Sequence, residues 1–218
     1  MDTANDSRII MAEHCVSELR NIAGNLKNIK KSGILNEINA KVMEIKYSYS
    51  EMEDLKPYLS SLKKLTAKLL ELLGGMDWAK KLRDMKYDDY KIAKIRFCLN
   101  ILYNLDSRLN LPNDPAYGVD IRVGEIVSMA KHPHAEKLKI CNVNVGRVIT
   151  VITNLEGVKE GMKLAVALLP PVKLMGVVSE GMFLSDKNKE QDVGEIPELS
   201  EDELNNARKE VLKNLRLR

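Results

Sequence analysis

The chain has 218 residues, 44% of them hydrophobic, and a formal net charge of +3. That is enough to bury one large core or two small ones, and the charge is too mild to argue by itself for a nucleic-acid partner. No apolar run reaches the length of a membrane span and residues 1–6 are polar, unlike a secretory signal, so a soluble cytoplasmic protein without a membrane partner is expected. Cys15, Cys98 and Cys141 are an odd set without C-x-x-C spacing. They read as reduced, buried thiols.

Residues 1–110 read as a helical bundle, because Leu, Lys, Glu, Ala and Met dominate and all favour helix. Asp6 or Ser7 caps a first helix running to about Asn21, with Ile9, Ile10, Val16 and Leu19 as its apolar stripe. Gly24 and Gly33 break the chain before a helix over 34–49, where Leu35, Ile38, Val42 and Ile45 recur at helical spacing. Ser50 and Glu53 have capping-box spacing, and Pro57 interrupts the next helix or sits early in it. Leu62, Leu65, Leu69 and Leu72 carry its apolar face until Gly74 and Gly75 end it.

Asp88 or Asp89 caps a last long helix over 90–109. Ile92, Ile95, Leu99 and Leu102 lie on one side of it and Phe97, Ile101 and Leu105 on another. A helix apolar on two sides marks the centre of a bundle, here of about four helices. Such a bundle either buries its own core or shares a face with a second copy or another chain.

Residues 109–118, LNLPNDPAYG, form a linker stiffened by Pro112 and Pro115. Beyond it β-branched residues take over, in short runs at 121–127, 138–145, 148–152 and 164–169 with glycines between. This pattern predicts a small closed barrel of about five strands. Asn144-Val145-Gly146-Arg147 is short enough for a hairpin connection.

Residues 186–202 read as an extended acidic connection. Ser200 with Glu203 then makes a capping box, and Leu199 with Leu204 a hydrophobic staple. Leu204, Ala207, Val211 and Leu215 line one face of the helix that follows, while Arg208, Lys209, Lys213, Arg216 and Arg218 load its later part with charge that suits the helix dipole. The expected fold class is therefore α+β and multidomain: a helical bundle at 1–110, a five-stranded barrel at 119–187 and a C-terminal helix at 199–216.

Residues 119–185 hold eight basic and six acidic side chains, a balance that supports only modest phosphate affinity. Arg122 on the first strand, with Lys137 and Lys139 at the start of the second, are the strongest candidates for a cationic face, because strand residues two apart project together. Phe183 is the only Phe, Tyr or Trp after Gly118. Single-strand binders stack bases on aromatic platforms, so generic single-strand binding is not expected. His132 and His134 flank Pro133 and read as a tight turn into the second strand; neither a metal site nor a cofactor is expected.

Five clusters in this half carry a resemblance: Asp120-Ile121-Arg122-Val123-Gly124, His132-Pro133-His134-Ala135-Glu136-Lys137-Leu138, Ile152-Thr153-Asn154, Lys173-Leu174-Met175-Gly176 and Ser179-Glu180-Gly181-Met182. In order and spacing they resemble the tRNA-binding OB-fold domain. That domain occurs as free tRNA-binding proteins, as a C-terminal part of methionyl-tRNA synthetases, in endothelial monocyte-activating polypeptide II and within the β chain of phenylalanyl-tRNA synthetase. The segment at 157–166, GVKEGMKLAV, looks most like the last of these. One departure is Asn154, where many members carry a small Ser-Gly type pair.

The resemblance implies an OB barrel that clasps the outer corner of folded tRNA without reading an anticodon. It implies contacts from Lys137, Ser179 and Met182, and Lys173 lies in another of the matched clusters. The expected contact set is thus Arg122, Lys137, Lys139, Lys173, Ser179 and Met182. No phosphate loop, catalytic triad or paired acids are found, so a non-catalytic tRNA-binding protein is expected, with a homodimer as one form of it. The alternative is a tRNA-delivering subunit docked through its helices on methionyl-tRNA synthetase or another synthetase.

Overall fold

The structure is a computed structural model that describes residues 1–216. The chain divides into two compact units, the first being Met1–Gly118 and the second beginning at Val119.

The first unit is helical: α1 (Ser7–Ala23), α2 (Lys27–Ser32), α3 (Ile34–Lys46), α4 (Met52–Leu73), α5 (Trp78–Asp84), α6 (Asp89–Tyr103) and α7 (Leu105–Leu109). The four long helices are those the apolar spacing anticipates. Asp6 caps α1 by accepting from the Arg8 amide, and Asp88 caps α6 by accepting from the Lys91 amide. α6 packs against both α1 and α4, and Ile92, Ile95, Phe97, Cys98, Leu99, Ile101 and Leu102 are all buried on it. It is the centre of the bundle. Cys15, Cys98 and Cys141 are free and buried. Burial, together with the hydrogen bond between Cys15 and Cys98, pushes the Cys98 thiol well above its ordinary value.

Two local readings differ, at Ser50 and over 90–109, and of the two places left open for Pro57 the structure takes the one early in a helix. Ser50 does not box with Glu53: its hydroxyl donates to the Ser48 carbonyl, and α4 begins after Glu51 without a side-chain cap. Pro57 lies inside α4 rather than breaking it, near enough to the start that the loss of one ladder bond is tolerated. The expected helix over 90–109 is broken at Asn104, where α6 ends and α7 begins.

Residues 111–118 are fastened to the first unit rather than free. Buried Arg8 grips Asp6 through Nε at 2.9 Å and Nη2 at 2.5 Å. Its Nη1 donates to the carbonyls of Arg108, Leu111 and Pro112 at 3.2, 2.9 and 3.3 Å. A guanidinium can serve a carboxylate and several carbonyls at once because its donors lie in a fixed planar fork.

The second unit is built on β1 (Ile121–His132), β2 (Ala135–Asn144), β3 (Val148–Thr153), β4 (Lys163–Ala167), β5 (Val172–Leu174), β6 (Val177–Ser179) and β7 (Met182–Phe183). Five strands form one antiparallel sheet in the order β3-β2-β1-β4-β7, and β5 with β6 forms a separate hairpin. The turn between β2 and β3 is the anticipated hairpin, with Gly146 at φ +93° and its amide held by Asn144 Oδ1 at 3.0 Å. The sheet curls so that β3 meets β6 and β7. The Glu180 amide donates to the Thr150 carbonyl at 2.8 Å and the Ile152 amide to Ser179 Oγ at 3.1 Å, which closes the barrel.

Ile126, Cys141, Val143, Val151, Leu164, Val166 and Phe183 fill the interior. Gly124 belongs to that wall: a Cβ there would come within 2.6 Å of Val143 and 2.7 Å of Val166.

The segment after β7, expected as an extended connection, is hydrogen-bonded to the barrel. The Gly194 amide donates to the Val123 carbonyl at 2.8 Å, the Val123 amide to Glu195 at 2.9 Å, and the Lys189 amide to Lys163 at 2.7 Å. It thus lies along β1 and β4 and leads into α8 (Glu201–Arg216). Both halves of the Ser200–Glu203 capping box are present. Arg218, counted above with the basic residues of this helix, lies outside the described residues.

Candidate nucleic-acid interface

β1 is twelve residues long and bulged twice, between Ile126 and Ser128 and between Lys131 and His132. Bulges bend and twist a strand, letting this one run from the barrel wall out to its rim. At the rim β1 and β2 are joined by Pro133 and His134, with His132 paired to Ala135. The anticipated His-Pro turn is therefore a two-residue hairpin loop.

Cross-strand partners share a face. Arg122 stands opposite Val166, Met129 opposite Cys141, and Lys131 opposite Lys139, whose other neighbour is Thr153. Lys137 and Lys139 follow the same alternation. Arg122 and Lys139 therefore belong to one face of the ladder but lie near opposite ends of β1, at most about 30 Å apart along an extended strand.

The six expected contact residues occupy four kinds of place. Lys137 and Lys173 are exposed, and neither ammonium makes a hydrogen bond or ion pair among the described residues. Lys139 is half-buried, and its Nζ donates to the Leu155 and Glu156 carbonyls at 3.1 and 3.0 Å, closing the turn after β3. Arg122 is half-buried with Nη1 3.4 Å from the Gly194 carbonyl. Ser179 is buried; its hydroxyl accepts from the Ile152 amide and donates to the Gly181 carbonyl at 3.1 Å, so it is engaged in closing the barrel. Met182 is half-buried opposite Ala167, on the side of the sheet away from the core residue Phe183.

Sequence reasoning leaves two residues at the rim, Lys131 and His132, outside the expected contact set and reads His132 only as part of a turn. Lys131 is exposed and, like Lys137 and Lys173, makes no side-chain hydrogen bond or ion pair among the described residues. Its place directly before the His-Pro-His turn was the available signal. His132 is buried, accepts from the His134 amide at Nδ1 (3.1 Å) and meets the Leu174 carbonyl at Nε2 (3.3 Å). An acceptor at one nitrogen and a donor at the other define the Nε2–H tautomer. The ring brings the β1–β2 turn and the β5–β6 hairpin together. Lys131 precedes His132 and Lys173 precedes Leu174, so each flanks a member of that contact.

The hairpin turns through Met175 and Gly176, at φ +46° and +94°. Two consecutive left-handed residues suit the right-handed strand twist, and glycine at the second meets the demand at no steric cost. Val172, Leu174 and Met175 are exposed by 47%, 39% and 60%, which leaves an apolar edge beside Lys173.

A small closed barrel of this topology, with exposed lysines at one rim, is of the OB type. Residues 121–207 match the family model described as a tRNA binding domain, and residues 1–112, just over half of the chain, match one described as an alpha helical domain, the family to which the chain belongs. The first match takes in the segment along β1 and the opening turns of α8 as well as the strands.

Among curated proteins, the chain is similar to phenylalanine–tRNA ligase beta subunits. It is 37% identical over 76 residues to that of Coxiella burnetii, covering 30% of this chain and 10% of the relative. It is 39% identical over 75 residues to that of Dickeya dadantii, covering 29% and 9%. The match thus spans about a tenth of the length of these relatives. No helix among the described residues is long and apolar enough to cross a membrane.

Proposed function

We propose that the protein is a non-catalytic, cytoplasmic tRNA-binding protein whose barrel grips folded tRNA by shape and backbone contacts. The observation that carries this reading is the group of exposed, unengaged ammoniums at the rim: Lys131, Lys137 and Lys173. Point charges held on short strands meet phosphates without reading bases. A barrel poor in aromatics has little on which to stack splayed bases, and A-form RNA is recognised chiefly by shape and backbone. In the proposal Arg122 and Met182, toward the other end of β1, add a second group of contacts, while Ser179 and Lys139 support the barrel from within.

With so few charges, binding should be micromolar and salt-sensitive. A filter-binding comparison of folded tRNA with an unstructured RNA of equal length tests it. Preference for the folded molecule supports the reading; equal binding removes it.

A second reading concerns the helical unit, which docks on a synthetase or pairs with a second copy so that the barrel delivers tRNA. The relatives are named as subunits of a tRNA ligase. The unit also exposes Tyr47 by 58%, Tyr49 by 62%, Met76 by 97% and Met85 by 56%, apolar surface of the kind used in contacts with other chains. A linked module gains affinity from a second binder without new contacts of its own. Removing residues 1–110 separates the cases: loss of a co-purifying synthetase points to docking, and a fall from dimer to monomer points to self-pairing.

A further inference from the structure

We propose that His132 is a positioning residue: it holds the β5–β6 hairpin so that Lys173 stands at the rim with Lys131 and Lys137. The inference rests on the tRNA reading for its consequence, though not for its geometry. β5 and β6 pair only with each other and add no strand to the main sheet. The base of the hairpin is tied to the barrel through Ser179 Oγ to Ile152 and through the Glu180 amide to Thr150. Toward the tip, among the described residues, the hydrogen bond to the barrel is the one between His132 Nε2 and the Leu174 carbonyl.

An isolated two-stranded hairpin is at best marginally stable in water. This one exposes all three residues of β5. Its order near the tip therefore depends on what touches it. The imidazole has both nitrogens committed, Nδ1 to its own turn and Nε2 to the hairpin. One buried ring thus sets two loops at a fixed separation, and Lys173 gains a defined position without an ion pair to hold it.

The two roles of the ring separate by substitution. His132→Asn keeps an acceptor near the position of Nδ1, because an Asn side chain caps the amide two residues on, but it is too short to reach Leu174. His132→Gln places an amide donor near the position of Nε2. In full-length protein, His132→Asn should speed amide exchange at Val177, whose residue pairs with Leu174, while exchange at the core residues Val143 and Val151 stays as in the wild type. His132→Gln should restore the slow exchange. Unchanged exchange at Val177 in His132→Asn, or equal acceleration throughout the barrel, overturns the proposal whatever the protein binds.

With folded tRNA as the probe, His132→Asn should weaken binding by roughly threefold, as Lys173→Ala does, since a lone exposed charge contact contributes modestly. Each should lower the salt slope by about one. The double variant should bind like either single one, because both remove the same contact. Losses that multiply in the double variant overturn the proposal. If Lys131→Ala, Lys137→Ala and Lys173→Ala all bind like the wild type, the tRNA reading fails, and the exchange result alone decides the role of His132.

Discussion

Glu203 and Ser200 hold each other across the first turn of α8: the Ser200 amide donates to Glu203 Oε2 at 2.8 Å, and the Glu203 amide to Ser200 Oγ at 3.4 Å. Lys189 Nζ at 2.8 Å and Ser185 Oγ at 2.6 Å also donate to the carboxylate, which is fully buried. Burial on its own would raise this carboxyl, but the hydrogen bonds from Lys189, Ser185 and the Ser200 amide bring it below its ordinary value. A lowered folded-state value means stability that is present above the unfolded-state value of about 4.3 and lost as pH falls through the folded one. Calorimetric unfolding of the wild type should therefore weaken in acid more steeply than that of Glu203→Gln. At neutral pH Glu203→Ala should cost about 3 kcal/mol, because Lys189 is left as an uncompensated charge in a mostly buried place.

Arg8 ties the first helix to residues 108–113 through one guanidinium. Replacing it with Ala leaves the buried Asp6 carboxylate without its cation and takes a donor from the Leu111 carbonyl, while the Arg108 and Pro112 carbonyls still accept from the Leu111 and Asp114 amides. The cost should be about 3–5 kcal/mol. Arg8→Lys should recover only part of it, since a point charge cannot reproduce the planar fork. A urea transition followed by far-ultraviolet circular dichroism measures both.

Lys137 and Lys139 lie two residues apart on one strand, yet they should behave differently. Lys137→Ala should weaken tRNA binding and lower its salt slope by about one while leaving the melting temperature unchanged. Lys139→Ala removes the donor to two carbonyls that water can reach in part, and should lower the melting temperature, at a cost of about 0.5–1.5 kcal/mol. Equal melting temperatures for the two variants would contradict the assignment.

Ser179→Ala should act on the fold before it acts on RNA. It leaves the Ile152 amide facing an apolar methyl, at a cost of about 1–3 kcal/mol. Faster amide exchange at Ile152 in the absence of RNA, with the salt slope of tRNA binding unchanged, is the expected result. A lost slope with unchanged exchange would instead make Ser179 a direct contact.

Features set by neighbours in the chain were legible from the residues alone. The Ser200–Glu203 box spans four residues, and the two apolar sides of α6 follow from its own spacing. The Ser50–Glu53 box has equally good spacing but loses to a local alternative, the Ser50 hydroxyl bonding to Ser48, so the signature was present without the structure. The segment 186–202 reads only as an extended acidic connection, because its partners, Val123 and Lys163, are more than twenty residues away and a polar composition carries no mark of such pairing. The fold of the barrel followed from its strand pattern and its family motifs. The motifs marked Ser179 and Lys137 alike. Residue type does not disclose whether a hydroxyl is already engaged, so only the three-dimensional arrangement separates the buried Ser179 from the unengaged Lys137. Lys131 and His132 stay outside the expected contact set because their significance lies in a hairpin some forty residues further on.

The segregation of aromatic side chains has an optical consequence. Every tyrosine and the lone tryptophan precede Gly118, and the barrel holds only Phe183. Emission excited near 295 nm, which selects tryptophan, comes from Trp78 in α5. A titrant that occupies the barrel and touches nothing else should leave that glow steady. Any quenching would report that the titrant, or a rearrangement it provokes, has reached the amino-terminal helices.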